Sequence, residues 1–270
     1  MENGYRLFDS HAHYFDAKFD GREDEILRTE VFGKDVGRVI NVGTNPVTNA
    51  LCVAQAAKYD GMYAAVGIHP EDCQMMTESA ADAVSDLKSF IGTTETRKRS
   101  GIVALGEIGL DYHVNGGNPD RLRQMEFFSL QLELAEKTGL PVIIHDREAH
   151  GDCFETVLKH PGVRGVFHSY SGSAEMAREL TKRGWYISFS GVVTFKNASR
   201  IRETAATVPQ EYLLVETDCP YLAPHPHRGE INHSGLMKYT VETLAAVRET
   251  TPEAIAEITR KNASELFGIE

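Results

Sequence analysis

Eight short apolar runs alternate with longer amphipathic segments along the whole chain. Most of these runs lack the regular polar positions of a strand with one solvent-facing side, so they predict parallel strands buried on both faces. The predicted strands are residues 7–11, 38–42, 62–68, 102–108, 141–145, 165–168, 185–189 and 212–216. This alternation restricts the chain to an α/β architecture.

Helix signals fill the segments between the predicted strands. The clearest helix is predicted between a cap at Asn118, followed by Pro119, and a stop at Gly139. Its expected buried stripe, at helical spacing, consists of Leu122, Met125, Phe128, Leu132 and Ala135. Further helices are predicted near residues 46–58, 79–91, 148–160, 173–183, 196–207 and 236–249, and from 251 to 268.

Eight strand–helix units in 270 residues, without a linker or a break in composition, favour one (β/α)8 TIM barrel. The predicted organisation is therefore a single domain over residues 1–270. A doubly wound open sheet is the alternative. It lacks support, because neither GxGxxG nor GxxxxGK[ST] follows any predicted strand.

Composition bounds the cellular context and the partners. The 39 acidic residues exceed the 28 basic ones, giving a net charge of −11, which argues against a broad basic face that wraps duplex DNA. A metal-loaded cleft can nevertheless be locally positive in an acidic protein. The chain shows no membrane-spanning run and no signal-peptide pattern, so we expect a cytoplasmic protein without a membrane partner. Its four cysteines form no CxxC pair and are expected to be reduced.

Metal-binding residue types recur where the predicted strands end. His11 and His13 form an HxH motif whose side chains point the same way from a strand. The other strand ends carry Glu107, His145, His168 and Asp218. Burying so many ionisable groups together is costly unless a metal pairs them. The set suits two divalent ions that share a carboxylate, and the imidazoles favour Zn, Mn, Fe, Co or Ni over a cage of oxygen ligands for Mg.

The stretches around these residues resemble the TatD family of metal-dependent deoxyribonucleases, within the amidohydrolase-like barrels. The resemblance covers nearly the whole chain, in the family's order. The matching stretches are FDSHAH (8–13), VGIHP (66–70), GEIGLDYH (106–113), PVIIHDREA (141–149), FHSYSGS (167–173), YISFSGVVTFKNA (186–198), ETDCPYLAP (216–224) with HRG (227–229) after it, and RKNASELFGI (260–269).

The resemblance implies a role for each strand-end residue. It implies a first ion held by His11, His13, Glu107 and Asp218, and a second held by Glu107, His145 and His168. Glu107 would thus bridge two divalent ions, whose identity stays open among Zn, Mn, Mg, Co and Ni. A water between the ions would attack phosphorus, and Asp218 would accept its proton.

Five further residues are candidates for contacts with substrate: Arg147, Arg228, Lys196, His69 and His113. Arginine binds phosphate oxygens bidentately, and Lys196 follows the seventh strand, which suits a further phosphate contact. The two histidines stand at loop positions that match the family. Solvent-exposed surface roles remain open for all five.

One stretch departs from the family pattern. Family members often read RGKxNxP, whereas this chain reads RGEINHS over residues 228–234. Glu230 replaces a positive charge, His233 falls at a variable position and Ser234 replaces the proline. The change leaves metal binding untouched and disfavours tight binding of a polyanion.

The sequence favours a metal-dependent hydrolase of phosphodiester bonds, with DNA as substrate. The small basic surface favours single strands over duplexes, and the resemblance suggests removal of nucleotides from the 3′ end. Related barrels hydrolyse small amides, lactones or phosphoesters with the same residues, which is the alternative. A catalytically silent metal-binding protein is the third possibility. No obligate protein partner is indicated.

Overall fold

The computed structural model describes residues 6–113 and 119–269, and within them eight strands. The strands are β1 (Leu7–Ala12), β2 (Val36–Val42), β3 (Met62–Val66), β4 (Ile102–Asp111), β5 (Val142–Arg147), β6 (Gly165–Phe167), β7 (Tyr186–Phe189) and β8 (Leu213–Val215). Each coincides with a predicted strand. The largest difference is in β4, which continues to Asp111.

The α-helices of the described residues are α1 (Glu23–Ile26), α2 (Pro46–Ala56), α3 (Pro70–Cys73), α4 (Ala80–Ile91), α5 (Thr94–Ser100), α6 (Arg121–Thr138), α7 (His150–Leu158), α8 (Ala174–Thr181), α9 (Ser199–Thr207), α10 (Met237–Val247) and α11 (Pro252–Phe267). A π-helical turn (Leu27–Val31) and four 3₁₀ turns (Ala17–Phe19, Gly191–Thr194, Gln210–Tyr212 and Ser234–Leu236) complete the list. None of the helices in the part that the structure describes has the length and apolar character needed to span a bilayer.

The described residues form two compact units. The first contains residues 6–41 and 168–269, and the second contains residues 42–113 and 119–167. In the first unit β1 runs parallel to β2, β7 runs parallel to β8, and Ala12 at the end of β1 pairs with Cys219. In the second unit β3, β4, β5 and β6 are parallel and adjacent in chain order. Within each unit, the sheet thus follows the order of the chain.

Helix α6 differs from its prediction at both its start and its buried face. It begins at Arg121, because the Asp120 carboxylate caps it by accepting a hydrogen bond from the Arg123 N–H at 3.0 Å, and Asn118 lies outside the described residues. Phe128, Leu132 and Ala135 are buried as predicted, and Met125 is half-buried. Leu122 is 86% exposed, so its place in the buried stripe was wrongly predicted.

Two glutamines also occupy the buried face of α6. Gln131 accepts the N–H of Ile68 at 2.8 Å and donates to its carbonyl at 3.0 Å. Gln124 makes the same pair of bonds with the backbone of Asp111, at 2.9 and 2.8 Å. The helix therefore fixes the ends of β3 and β4, because buried amides must be paired.

Glycines allow the strands of the second unit to approach closely around Glu107. Gly109 has a φ of +143°, and a Cβ there would collide with the carbonyl oxygen of His145. A Cβ on Gly67 would lie 2.7 Å from the carbonyl carbon of Gly106. Larger residues would push β3 and β5 away from the strand that carries Glu107.

Candidate metal sites

The first unit brings His11, His13 and Asp218 together, and we call these three residues the first group. The Nε2 atoms of His11 and His13 are 2.9 Å apart. Asp218 Oδ1 lies 3.3 Å from His13 Nε2 and 3.7 Å from His11 Nε2. The ring of His168 stacks on that of His11, with centroids 4.0 Å apart. These are four of the six metal ligands expected from the sequence.

Buried hydrogen bonds fix the two chain segments of the first group. Asp9, which is fully buried, accepts the backbone N–H of His11 at 3.2 Å. It also accepts the N–H of Thr217 at 3.0 Å and its hydroxyl at 2.5 Å. The N–H of Asp218 donates to the carbonyl of His11 at 2.9 Å. The strand with the HxH motif is thus bonded directly to the segment with Asp218.

Asp218 has a carboxyl group that favours its charged form. Burial opposes ionisation, but the hydrogen bond from His13 and the neighbouring His11 and His168 together lower its pKa below the ordinary value. The group is therefore ionised at neutral pH. An ionised carboxylate can bind a cation or accept a proton.

The second unit brings His69, Glu107 and His145 together, and we call these three residues the second group. His145 Nδ1 lies 2.7 Å from Glu107 Oε1. His69 Nε2 lies 3.6 Å from the same oxygen, and the two histidine rings meet edge to face with centroids 4.4 Å apart. Glu107 is 3% exposed. The sequence placed His69 among the substrate contacts, whereas the structure places it beside Glu107.

In each unit a buried carboxylate lies within hydrogen-bond distance of a ring nitrogen of one of the expected histidine ligands. Asp111 Oδ2 lies 2.9 Å from His145 Nε2, and Glu216 Oε1 lies 3.2 Å from His168 Nδ1. Glu216 also accepts the N–H of Ser169 at 2.8 Å. A carboxylate that accepts the Nδ1–H of His168 leaves the other nitrogen of that ring unprotonated and oriented for a metal. Both nitrogens of His145 lie beside carboxylates, so a metal bound at its Nδ1 would replace a proton shared with Glu107, while Asp111 holds the ring through Nε2–H.

Neither Asp111 nor Glu216 was identified from the sequence, although both lie in the matching stretches. Although burial raises the pKa of Asp111, the hydrogen bond from His145 and the charge of His145 lower it more, so the net pKa is below the ordinary value. Their closeness in sequence to the expected ligands could have identified them: Asp111 follows Glu107 by four residues, and Glu216 precedes Asp218 by two.

The donor atoms of both groups fit divalent metal ions. In each group one atom from every residue lies within 4.8 Å of the others, and the set combines imidazole nitrogen with carboxylate oxygen. Zn, Mn, Fe, Co and Ni accept such a mixture. Two facing imidazole nitrogens 2.9 Å apart also need a shared proton or a cation, because two lone pairs repel.

Thiols near both groups do not add ligands. Cys219 follows Asp218, and the thiol of Cys153 lies 3.8 Å from the carbonyl oxygen of His145. Burial raises the pKa of both thiols, and all four cysteines are buried and free. The groups of possible metal donors among the described residues contain no cysteine, so the donors here are nitrogen and oxygen.

The three cationic candidates for substrate contact are exposed. Arg147 ends β5, and its Nη1 lies 3.9 Å from Asp111 Oδ2. The guanidinium of Arg228 lies 3.7 Å above the ring of Phe195, which limits its movement. Lys196 lies in the turn before α9.

Two other residues that the sequence singled out, His113 and Glu230, each lie in a local histidine–carboxylate pair. His113 Nδ1 lies 2.7 Å from Glu148 Oε1 on the surface of the second unit. Glu230, which departs from the family pattern, lies 2.9 Å from His227 Nδ1. Its negative charge is therefore partly offset whenever that histidine is protonated.

Comparison with known proteins supports the family that the sequence suggested. A family model described as TatD related DNase matches residues 8–268. The metal-dependent hydrolase YabD of Bacillus subtilis is 41% identical, over 97% of this chain and 99% of that protein. The metal-dependent hydrolase TatD of Mycobacterium tuberculosis is 35% identical, over 97% and 98%.

The crystal structure of YjjV, a TatD homologue from Escherichia coli, has a TM-score of 0.88 at 29% identity and covers 98% of this chain and 99% of that one. The match confirms the predicted fold: the eight parallel strands and their helices are those of a TIM barrel. Family, fold and donor set agree, and the chain belongs to the TatD-related DNase family of metal-dependent hydrolases.

Proposed function

We propose that this hydrolase cleaves phosphodiester bonds of DNA, removing nucleotides from the 3′ end with a preference for single strands. The convergence of His11, His13 and Asp218 carries the proposal, because these donors suit a divalent ion. The family model, described as TatD related DNase, supports the choice of DNA. The net charge of −11 supports single strands, since a duplex needs more basic surface.

We propose that the first group holds one divalent ion and that Glu107, His145 and His168 hold a second. The bridging role of Glu107 follows the family resemblance. When bound, such ions activate water and stabilise the charge that develops on the phosphate. Asp218 accepts the proton of the attacking water, because its carboxylate is ionised and lies next to the metal-binding nitrogens of His11 and His13.

The remaining candidate residues bind and orient the substrate. Arg147, Arg228 and Lys196 bind phosphate oxygens of the strand, since each is an exposed cation. His113 and His69 shape the surroundings of the site. We further propose that residues 1–270 act as one hydrolase domain in the cytoplasm, without a membrane or an obligate protein partner. The family match spans both units, and the free cysteines suit a reducing compartment.

The carboxylates behind the histidines give a first test. We expect Glu216→Gln and Asp111→Asn each to weaken metal binding by about 10–100-fold, because the neutral amide orients its histidine less well. Isothermal titration calorimetry with Mn²⁺ measures the dissociation constant of each variant. Glu179→Gln, on an exposed surface pair, is the control and should bind Mn²⁺ as the parent does. Unchanged affinity in both variants would remove these carboxylates from the site.

The substrate is tested with matched DNA molecules. We expect release of nucleotides from end-labelled linear single strands and none from a closed circle of the same sequence, because an end enters the site. Substrates labelled at the 5′ end or at the 3′ end show from which end of the strand the nucleotides are removed. Equal cleavage of the circle would contradict the end-directed model. Hydrolysis of small esters or amides, with every nucleic acid intact, would favour the small-molecule alternative.

The cationic residues are tested on the linear strand. Loss of one charge-assisted phosphate contact should raise KM about tenfold in Arg147→Ala and in Arg228→Ala. Metal content should not change. Arg260→Ala is the control, because Arg260 is exposed beside Leu7 at the other end of β1 from His11. An unchanged KM in both variants would leave Arg147 and Arg228 as ordinary surface residues.

A further inference from the structure

The two ring nitrogens of His69 face partners of opposite character. Nδ1 accepts the backbone N–H of Glu71 at 3.1 Å and thereby caps α3. Nε2 lies 3.6 Å from the carboxylate oxygen Oε1 of Glu107. One nitrogen therefore faces a hydrogen-bond donor, and the other faces a negatively charged acceptor.

This arrangement determines the protonation of the ring. A nitrogen that accepts an N–H bond carries no proton, and a neutral imidazole has only one proton to place. The proton of His69 is therefore on Nε2, on the side of Glu107. For Nε2 to offer a lone pair to a metal, the ring would have to lose that proton too or give up the cap on α3.

The position of His69 is fixed by the surrounding backbone. The backbone N–H of His69 donates to the carbonyl of Thr44 at 2.8 Å. In the preceding residue, Ile68, both the backbone N–H and the carbonyl are hydrogen-bonded to the side-chain amide of Gln131. Gly67 lies against the backbone of Glu107. The side chain is only 10% exposed, which leaves little surface for a nucleotide.

We infer that His69 is a positioning residue whose Nε2–H orients the carboxylate of Glu107, and that it is neither a metal ligand nor a contact for substrate phosphate. The separation of 3.6 Å exceeds a full hydrogen bond, so the interaction in this state is electrostatic. Such contacts often shorten when a site is loaded. The inference rests on the proposed function in one respect, that Glu107 binds metal.

The tautomer can be observed directly by NMR of protein with ¹⁵N-labelled histidine. We expect the His69 ring to show a proton on Nε2 and none on Nδ1, both without metal and after saturation with Zn²⁺. The His69→Asn variant identifies its signals by their loss. Disappearance of the Nε2 proton when Zn²⁺ is added would identify His69 as a ligand and overturn the inference.

Two substitutions separate the functions of the two nitrogens. Asparagine places an amide oxygen near the position of Nδ1 and is a good helix cap, but it is too short to reach Glu107. Glutamine places an amide N–H near the position of Nε2 and loses the cap. We expect His69→Asn to raise the dissociation constant for Mn²⁺ about 10–100-fold, with an unchanged melting temperature of the metal-free protein.

His69→Gln should show the reverse pattern, with Mn²⁺ affinity restored toward that of the parent and a lower melting temperature. Normal affinity in His69→Asn would leave only a capping role and contradict the inference. An equally large loss of affinity in both variants would indicate a metal ligand. Glu107→Ala serves as the reference: if it binds Mn²⁺ normally, the proposed metal centre fails, whatever the His69 variants do.

Discussion

Replacing Asp218 with asparagine is expected to lower kcat on a single-stranded oligonucleotide by about 10²–10⁴-fold, the usual cost of losing a general base. Asparagine has nearly the same shape and keeps an oxygen for metal, but it cannot accept a proton at neutral pH. Turnover should therefore fall far more than metal content or KM. Steady-state kinetics, with elemental analysis of the same sample, measures all three.

Asp24→Asn is the matched control, because the Asp24 side chain is 44% exposed and its ion pair with Arg28 in the first unit is a weak surface interaction. It should turn over at the parent rate. An Asp218→Asn protein within a few-fold of the parent rate would rule out Asp218 as the proton acceptor. A parallel loss of metal and rate would indicate a ligand without a separate catalytic role.

Glu107→Ala should have the largest effect on metal content. If the carboxylate bridges two ions, its removal weakens both, and the bound metal should fall from about two ions per chain to below one. The change also leaves His145 without its 2.7 Å partner at Nδ1. Elemental analysis after dialysis against a fixed concentration of Mn²⁺ measures the stoichiometry.

The control for this experiment is Glu148→Ala, which removes an exposed carboxylate paired with His113 in the same unit. It should retain the parent stoichiometry. Full occupancy in Glu107→Ala would refute the bridging role. Loss of a single ion would assign Glu107 to one metal only.

The strands were predictable because burial on both faces leaves an uninterrupted apolar signature, as in residues 142–144 and 213–215. Helix α5 was not predicted, because its sequence, TETRKRS, buries no side chain and so has no apolar stripe. The buried face of α6 was predicted correctly at Phe128, Leu132 and Ala135 and wrongly at Leu122, for a related reason. Gln124 and Gln131 are polar residues in core positions, and only their backbone partners explain them.

The candidate ligands were predictable from residue type at strand ends, since histidine and acid in apolar runs need a partner. The residues that orient them were not. Asp111 bonds a histidine 34 residues away and Glu216 one 48 residues away, separations that no local pattern encodes. His69 was predicted as a substrate contact from its loop position in the family pattern, whereas its cap on α3 and its position beside Glu107 exist only in the folded chain.

The absence of cysteine from the candidate donor groups of the described residues has a consequence for metal selection. These donors lack the soft ligand by which proteins select Zn²⁺ or Cu⁺. Imidazole and carboxylate bind most first-row divalent ions, in an order set by the ions themselves. We therefore expect the free concentration of each metal in the cell to influence which ion these donors bind.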